Sequence, residues 1–568
     1  MQRCWSDNLT VVILAVGCFA LPLAQSDGKA ETASVFDVMK FGAVGDGVHD
    51  DRGAIQQAID QAARTGGVVL LPEPKQAYLV GGTLKITKSR VTLRGINAVI
   101  RLADGAADGT RDQRSTEGQV HVILASGSGQ VPISDLRLEG LTIDANIHEQ
   151  SDYYNPRGIV FEHVHDSVVE NVQVQNAFVA MDFGVGCLNV EARDCVAEAF
   201  TEDGFDASGD AHNSPGGTSR FIRFLRCEAR DAPDSGGNAW EIEDGVRHVL
   251  VQDCRVRNVG GNGFGIRNHW NATDDHSRHI ILHRVQIEQV GGKYGIYTHS
   301  APPDRSPDNS LDNVVLRDVE CSAAMLAYGP MSQLHIHGGR FRSLWLGWEY
   351  GPKTTNEPGP PLPVAGALIE NTVVGSLRLH AGGRSTPSNI IVRNVLVDAE
   401  QDETADDAVS ISGDGDGISL INCTIVGATG AAFKSNGSAA AAVTHSIIWG
   451  NTTVHANSTE GDDTAALGTT FTRSCIEGGV PDSARDGGGN TASDPHFVKG
   501  PAGSYYLEQS VGNGSQRSPC LDAGFWPSKS FHDLHLRTTD PSGRDHRDTG
   551  RVDLGFHYPL QNDPEGNR

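Results

Sequence analysis

Charged and aromatic side chains occupy matching places in consecutive repeats between Thr201 and His299. The segments GFDAS, AWEIE, GFGIR and KYGIY align on residues that we expect to face a core: Phe205, Trp240, Phe264 and Tyr294, then Ala207, Ile242, Ile266 and Ile296. Alternate residues of a strand point to opposite sides of its sheet. The residues between the apolar ones should therefore line one outer face.

The predicted outer face carries a dense group of ionisable residues. One column is Ser208, Glu243, Arg267 and Tyr297, flanked by Asp206 and Glu241 on one side and His269 and His299 on the other, with Asp182 and Tyr328 at its ends. Equivalent positions of stacked parallel strands lie ~4.8 Å apart. Such a face, if open along the stack, suits an enzyme that acts on a polysaccharide chain.

Two carboxylates can divide the hydrolysis of a glycosidic bond, one as general acid and one as general base for water. Asp206 and Glu243 are predicted to lie on the diagonal of neighbouring strands, ~7–8 Å apart, and inverting enzymes use ~6.5–9.5 Å. We assign the acid and base roles to this pair, and the tuning of their ionisation to Glu241 and Asp203. The other candidates orient or bind the sugar: Arg267, His269, Asp244, Tyr297, His299 and Tyr328.

Two other functions fit the same residues. A polysaccharide lyase removes the C5 proton of a uronic acid after Arg or Ca²⁺ neutralises the sugar carboxylate; Arg267, His269, Tyr297 and His299 offer such groups. Aspartate and glutamate oxygens could hold Ca²⁺, although the chain has no DxDxDG loop. Outward Glu, Arg and Tyr also form ordinary cross-strand pairs. A non-catalytic glycan-binding or adhesin surface therefore stays open.

These residues must be positioned by a solenoid of short strands. From about Val91 onward, two or three strands alternate with polar turns in repeats of ~20–35 residues, a period typical of solenoids. One coil cannot bury its inner face alone, so neighbouring coils must stack. Asparagines suit the corners, where left-handed backbone is needed: Asn171, Asn189, Asn258, Asn313, Asn394 and Asn422.

The N-terminal segment predicts a cap on this solenoid. Asp50 and Asp51 can begin a helix, and apolar residues then recur at helical spacing before Gly66. FDVMKFGAVGDGVHDDRGAIQQAIDQAA resembles the N-terminal motif of the pectate lyase superfamily, in its rhamnogalacturonase/epimerase-like branch. This resemblance implies an all-β, right-handed parallel β-helix with an N-terminal capping helix. The superfamily includes polysaccharide lyases, glycoside hydrolases, uronan epimerases and phage tailspikes.

The resemblance does not extend to the hydrolase signature. TEDGFD, residues 201–206, is similar to the first hydrolase motif, NTDGxD, with Asp203 at the position of its acid. The next two motifs, DD and GHG, are replaced by Gly237-Asn238 and by Gly263-Phe264-Gly265. If the chain hydrolyses glycans, Glu241, Glu243 and Asp244 are the nearest alternative carboxylates.

The C-terminal region resembles the closing segment of secreted bacterial β-helices. Its SPCLDAG and GRDHRDTGRVDLGFHY patterns carry that likeness. Asp494-Pro495-His496 matches the DPH triplet of alginate epimerases, but it stands in this closing segment rather than on an early coil. We therefore divide the chain into a cap with first coils at 36–102, a β-helix at 103–450 and a closing segment at 451–568.

Charge and the first residues bound partners and location. A formal charge of −25 disfavours nucleic acid and anionic membranes as partners. The apolar run Val11–Ala24 is too short for a membrane span and fits a signal peptide, residues 1–24; Cys18 offers a poorer lipid-anchor motif. We expect a secreted monomer, periplasmic or extracellular, that cleaves an extracellular, acidic polysaccharide.

Cysteines and tryptophans give two further expectations. Four cysteines occupy one place in repeating segments and should stack in the core: Cys195, Cys227, Cys254 and Cys423. Cys475 and Cys520 lie outside this ladder and could pair in an oxidising compartment. Trp345, Trp348 and Tyr350 are candidate platforms for sugar rings.

Overall fold

The structure is a computed structural model that describes residues 34–106, 120–150, 155–209, 217–268, 276–292, 294–299, 310–328, 331–347, 364–381, 389–413, 415, 417–435, 439–457, 468–510, 516–531, 534, 537–542 and 547–560. The predicted signal peptide, Cys18, His269, Trp348 and Tyr350 lie outside these residues. In the described part of the chain, no helix is both long and apolar enough to cross a membrane.

One amphipathic helix, Arg52–Thr65, forms the N-terminal cap. Its apolar stripe is buried as predicted: Ile55, Ala58, Ile59 and Ala62. The carboxylate of Asp51, the N-cap residue, accepts two backbone N–H bonds from the preceding turn, at 2.6 and 3.0 Å. Asp50 accepts the first N–H of the helix at 3.0 Å. The paired aspartates thus fix both the turn and the helix start.

Beyond the cap, the chain winds into a right-handed parallel β-helix, which confirms the predicted fold class. Strands pair in parallel with strands one coil away and form three sheets. One coil takes 24 residues from Asp182 to Asp206 and 35 residues from Asp206 to Glu241. The parallel pairing extends to Arg485–Asp486, beyond residue 450, where the closing segment is predicted to begin.

The strands of the three sheets are as follows. The first sheet contains Leu84–Ile86, His121–Ser126, Arg157–Glu162, Met181–Phe183, Phe205–Ser208, Asn238–Glu243, Asn262–Arg267, Ile296–His299, Val409–Ser412, Ala431–Ser435 and Thr453–Asn457. The second sheet contains Val35–Asp37, Gly67–Leu71, Ile133–Ser134, Val164–Glu170, Leu188–Arg193, Arg220–Leu225, Arg247–Gln252, His276–His283, Val364–Glu370, Ile390–Arg393, Ile418–Ile421, Ala441–Thr444, Thr469–Thr472 and Arg485–Asp486. The third sheet contains Tyr78–Val80, Gln173–Gln175, Val196–Glu198, Glu228–Ala232, Arg255–Val259, Gln286–Val290, Leu396–Asp398, Thr424–Val426, Ile447–Trp449 and Cys475–Ile476. Five longer strands bend round corners and join more than one sheet: Val91–Leu102, Arg137–Asp144, Ser310–Ala327, Met331–Leu346 and Val373–His380.

The core is a set of ladders that run along the axis. Phe205, Trp240 and Phe264 stack with ring centroids 4.6 and 5.1 Å apart, and all three are fully buried. Cys195, Cys227 and Cys254 form the predicted cysteine ladder; Cys423 takes the same kind of place further along. All four are buried and free. These ladders favour the observed coil register, because a slip of one residue would move the core side chains to the outer face.

The corners use left-handed backbone, as predicted. All six corner asparagines have φ between 51° and 56°: Asn171, Asn189, Asn258, Asn313, Asn394 and Asn422. Asparagine tolerates this conformation because its short side chain can hydrogen-bond locally. Asn394 and Asn422 also bind the closing segment, since their Nδ2 groups donate to the carbonyls of His557 and Asp553 at 3.0 and 2.8 Å.

The closing segment folds against the outside of the last coils. It contains two short antiparallel pairs, Phe497–Gly500 with Gly503–Leu507 and Arg537–Thr538 with Tyr558–Pro559. Its aromatic residues cover Leu396 and Val426 on the outer side of the third sheet. Cys475 and Cys520 meet in a second buried cluster, both as free thiols. The described residues also include four 3-10 turns: Val38–Phe41, Ile147–Glu149, Ala399–Gln401 and Ser528–Ser530.

Candidate active site

The outer face of the first sheet carries the predicted acidic columns. Asp206 lies beside Glu241 and Ser208 beside Glu243, on neighbouring strands. On the next coil, Glu243 lies beside Arg267. The register that was expected from the core aromatics is therefore confirmed for these three strands. It places Asp206 and Glu243 on a diagonal of about 8 Å, from one strand spacing and two residues of rise.

At the fourth strand the predicted alignment is wrong by two residues. Ile296, not Tyr294, lies beside Phe264, and Tyr297 lies beside Gly265. Tyr297 therefore belongs to the column of Asp206 and Glu241. His299 takes the predicted place of Tyr297, beside Arg267.

A core position would leave the Tyr294 hydroxyl group in apolar surroundings, which is unfavourable without a partner. The Tyr294 ring instead packs outside the sheet, 5.7 Å from the ring of Tyr297 and 5.8 Å from that of Trp345. The smaller Ile296 and Thr298 face inward at this coil. Aromatic size alone could not separate the two registers.

Asp182 is also in a different column from the predicted one. It lies beside Asp206, so that Asp182, Asp206 and Glu241 are direct neighbours on three successive strands. Arg157 donates a short hydrogen bond to Asp182. At the other end, Arg267 Nε donates a short hydrogen bond to Glu241 Oε1. We call these three carboxyl groups the acidic ladder; an arginine pairs with each of its ends.

Asp206, in the middle of the acidic ladder, has a different environment from its neighbours. Asp206 is 6% exposed, and its buried Oδ1 has no hydrogen-bond partner among the described residues. Burial, followed by the negative charges of Glu243 and Asp203, raises the pKa of Asp206 well above its ordinary value. Burial of a carboxyl group disfavours its charged form, so this environment favours protonation of Asp206.

Glu241 is held from two sides. Asn238 Nδ2 donates to Oε2 and Arg267 Nε to Oε1, so both oxygens are engaged. Burial and Glu243 raise the pKa of Glu241, while Arg267 opposes this shift. Gly265 makes room for the carboxylate, because a Cβ there would lie 2.5 Å from Glu241 Oε2. These contacts suit Glu241 to a positioning role rather than to proton transfer.

Glu243 and Asp203 complete the acidic cluster. Glu243 Oε2 lies 3.5 Å from Arg267 Nε. Asp203 Oδ1 accepts the backbone N–H of Asn238 at 2.8 Å. Burial raises the pKa of Asp203 to about 7, with Glu202 and Glu243 adding to the shift. Asp244 contributes a further negative charge near Asp206.

The predicted binding residues form an aromatic group beside the acids. The Tyr297 and Tyr328 hydroxyl groups are 2.5 Å apart, and the His299 ring centroid lies 4.9 Å from that of Tyr328. Trp345 is less suited to stacking on a sugar, because the guanidinium of Arg378 covers its ring at 4.2 Å. The sequence predicts an open face, yet Asp203, Asp206, Glu241, His299 and Tyr328 are all buried.

Sequence reasoning missed three residues: Asn238 and Arg157, which contact the acids, and His121, which lies beside Arg157. Arg157 and His121 lie side by side on the first sheet, and neither ring nitrogen of His121 has a hydrogen-bond partner among the described residues. Asn238 joins Asp203 to Glu241. The DD motif of the hydrolases aligns with Gly237-Asn238, so the sequence marks the position of Asn238. Arg157 and His121 gave none, because long segments separate them from the acids in sequence.

Metal ligands are grouped elsewhere in the described residues. The two groups of three or more ligating side chains within reach of one ion are His335, His337 and Glu370, and Asp548, Asp553 and His557. Neither includes a residue of the acidic cluster. The calcium ion that a lyase would use therefore stays a prediction from the sequence.

The pKa of Asp203 predicts a pH dependence of stability. The folded protein holds this proton up to about pH 7, whereas an ordinary aspartate loses it near 3.8. The unfolded chain thus binds fewer protons across this window, so the free energy of unfolding falls as pH rises. The slope from Asp203 is at most about 1.4 kcal/mol per pH unit. Urea unfolding of Asp203→Asn across this window should show a flatter dependence than wild type.

Asp194→Asn is the matched control for this measurement. Asp194 is an exposed corner residue, and its hydrogen bond to Arg226 lowers the pKa of its carboxyl group. The contribution of Asp194 to the pH dependence of stability therefore lies below pH 3.8. The Asp194→Asn variant should keep the wild-type slope of unfolding free energy against pH between pH 3.8 and about 7. Equal slopes for Asp203→Asn and wild type would contradict the raised pKa of Asp203.

Comparison with known proteins supports the fold and the family resemblance. A sequence model of the family "Rhamnogalacturonase A/epimerase, pectate lyase-like" matches residues 35–107, which confirms the resemblance of the N-terminal segment to the pectate lyase superfamily. The mannuronan C5-epimerase AlgE4 of Azotobacter vinelandii is 32% identical over 183 residues, 30% of this chain and 32% of that protein. A polygalacturonase of Malus domestica is 24% identical over 293 residues, 47% of this chain and 62% of that protein.

The A-module of the Azotobacter vinelandii mannuronan C5-epimerase AlgE6 aligns with 77% of this chain and 98% of its own, at 17% identity and a TM-score of 0.41. The chain spans about a third or less of the length of the curated relatives that it matches first. Their activities are therefore properties of those proteins.

Proposed function

We propose that this protein hydrolyses a polysaccharide, with Asp206 as the general acid and Glu243 as the general base. The observation that carries the proposal is the environment of Asp206. Its neighbours in the acidic ladder each bind an arginine, while Asp206 is buried with one oxygen unpartnered among the described residues. A carboxyl group that is kept protonated can donate to a glycosidic oxygen.

In the proposed reaction, one carboxyl group donates a proton and the other accepts one. Asp206 protonates the glycosidic oxygen as the bond to the anomeric carbon breaks. Glu243 removes a proton from a water molecule, whose oxygen bonds to the same carbon from the opposite face. The backbone positions of Asp206 and Glu243 lie about 8 Å apart on the diagonal, and inverting glycosidases, which need room for that water, hold their two carboxyl groups ~6.5–9.5 Å apart.

The other residues of the cluster position this pair. Arg267 contacts both Glu241 and Glu243, so it can hold the base in place. Burial raises the pKa of Asp206, and the charge of Glu243 adds to this shift, followed by smaller contributions from Asp203 and Asp244. Tyr297, His299 and Tyr328 lie on the following coils, where the next sugar of a chain would bind.

Acidic glycans are the preferred substrate class. The polygalacturonase and the mannuronan epimerases among the relatives are named for uronic acid polymers. The expected signal peptide would take this protein to such polymers outside the cell. Both points support the substrate class without deciding the sugar.

A second candidate reaction starts with removal of the C5 proton of a uronic acid, as in a lyase. The contact between the Tyr297 and Tyr328 hydroxyl groups, next to His299, favours it. Arg267 is poorly suited to be the base. Although burial lowers its pKa, the ion pairs with Glu241 and Glu243 raise the pKa of Arg267 overall. A tyrosine or histidine would have to remove the proton.

Incubation with a panel of polysaccharides tests the proposal. The panel contains polygalacturonate, mannuronan and a neutral glucan, and both reducing ends and ultraviolet absorbance of unsaturated sugars are measured. We expect new reducing ends without unsaturated product on an acidic glycan. Unsaturated product would favour the lyase reaction. Binding of a glycan without cleavage of any would favour the adhesin alternative.

A further inference from the structure

A second group of ionisable side chains lies on the outer face of the second sheet. His335 and His337 are two residues apart on the strand Met331–Leu346, and Glu370 lies beside His337 on the neighbouring strand. One carboxylate oxygen, Glu370 Oε1, is 2.9 Å from His335 Nε2 and 3.2 Å from His337 Nδ1. Two imidazoles therefore converge on a single oxygen.

Arg393 fixes the orientation of this carboxylate. It donates a short hydrogen bond to the other oxygen, Glu370 Oε2, from the next strand along. The Glu370 side chain is 3% exposed, whereas those of His335 and His337 are 28% and 23% exposed. Arg393 thus fixes the buried carboxylate, and the two partly exposed imidazoles form the side of the group that faces solvent.

We infer that His335, His337 and Glu370 form a zinc site. The ligands are His335 Nε2, His337 Nδ1 and Glu370 Oε1, and a water molecule fills the fourth position on the solvent side. Zinc binds imidazole nitrogen and carboxylate oxygen at about 2.0–2.1 Å, so tetrahedral ligands lie about 3.3 Å apart. The observed separations of 2.9 and 3.2 Å need only small adjustments to receive the ion.

The surroundings of the group fit this role. Metal ligands are usually oriented by outer hydrogen bonds, and Arg393 provides one to Glu370. Arg393 also offsets part of the negative charge, which should make zinc binding weaker than in a site with a free carboxylate. The ladder hydrogen bonds of two adjacent strands hold all three ligands. A bound ion would link one coil to the next.

The other ligand group of the described residues lacks these properties. Asp548, Asp553 and His557 are buried in the closing segment, and their polar atoms already have protein partners. His557 binds Asp548 and the Gly555 carbonyl, and Asp553 accepts from Asp522 N and Thr539 Oγ1. This network fixes the closing segment and has no side open to solvent. We therefore place the zinc site at Glu370 alone.

Calorimetric titration of the full chain with zinc chloride, after treatment with a chelator, tests the inference. We expect one zinc ion per chain and at least a tenfold weaker affinity in His335→Asn and in His337→Asn. Both histidines are partly exposed, so the variants should fold; equal melting temperatures without zinc would confirm this. Zinc-edge anomalous diffraction should place the ion between the three side chains.

His248→Asn is the matched control. His248 is on the same sheet, stacks on His279 with centroids 4.7 Å apart, and has a left-handed backbone that asparagine tolerates. This variant should keep wild-type affinity. Absence of zinc binding in wild type, or undiminished binding in His335→Asn and His337→Asn, would overturn the inference. The three side chains would then form an ion-pair network without a metal.

Discussion

Replacement of Asp206 by asparagine is expected to lower kcat for polysaccharide hydrolysis by about 10²–10⁴-fold, the usual contribution of a general acid. The amide has nearly the same shape as the protonated carboxyl group but has no acidic proton for the leaving oxygen. The loss should be much smaller on a substrate whose leaving group needs no proton, such as a nitrophenyl glycoside. Initial rates on the two substrates measure this difference.

Folding of the variant must be shown independently. Asparagine replaces a buried carboxyl group that we expect to be neutral, so the free energy of unfolding should change little. Asp253→Asn, at a corner where Asp253 binds Arg284, is a control outside the site and should keep full activity. Equal losses of activity on both substrates would mean that Asp206 has a structural role.

Truncation of Trp240 to alanine is expected to lower the free energy of unfolding by about 3–5 kcal/mol, the range for large aromatic residues in cores. Trp240 is fully buried between Phe205 and Phe264. It is also the residue before Glu241, so the cavity should loosen the acidic ladder and reduce activity as well. Urea unfolding measures the loss of stability.

Trp526→Ala provides a matched comparison for the same side chain. Trp526 is 53% exposed in the closing segment, and surface substitutions usually change stability by less than about 0.5 kcal/mol. A similar loss in Trp240→Ala and Trp526→Ala would contradict the view that the stacked aromatics hold the register. A loss limited to Trp240→Ala would support it.

The sequence allowed the fold and three of the four site strands to be predicted. Phe205, Trp240 and Phe264 share one apolar pattern, and a parallel coil turns that pattern into a fixed register. Tyr294 departs from this pattern, because a tyrosine can pack equally well outside a sheet, here against Tyr297 and Trp345. A pattern of residue types does not distinguish these two environments.

The electrostatic partners of the acids could not be predicted in the same way. Arg157 reaches Asp182 from the preceding coil, 25 residues away in sequence. Which arginine binds which acid depends on rotamers and on the coil lengths between them. Burial of Asp206 likewise depends on side chains from several coils, so its low exposure could not be read from the segment GFDAS.

The most direct test of the central claim is the protonation state of Asp206 in the folded protein. An infrared difference spectrum between wild type and Asp206→Asn at neutral pH isolates the carbonyl stretch of a protonated carboxyl group. We predict that the difference spectrum contains this band as a contribution of wild type alone, because Asp203 and Glu241, whose pKa values are also raised, contribute to both proteins. Absence of the band in wild type, with the carboxylate bands reduced in the variant instead, would show that Asp206 is ionised and would contradict its role as the acid.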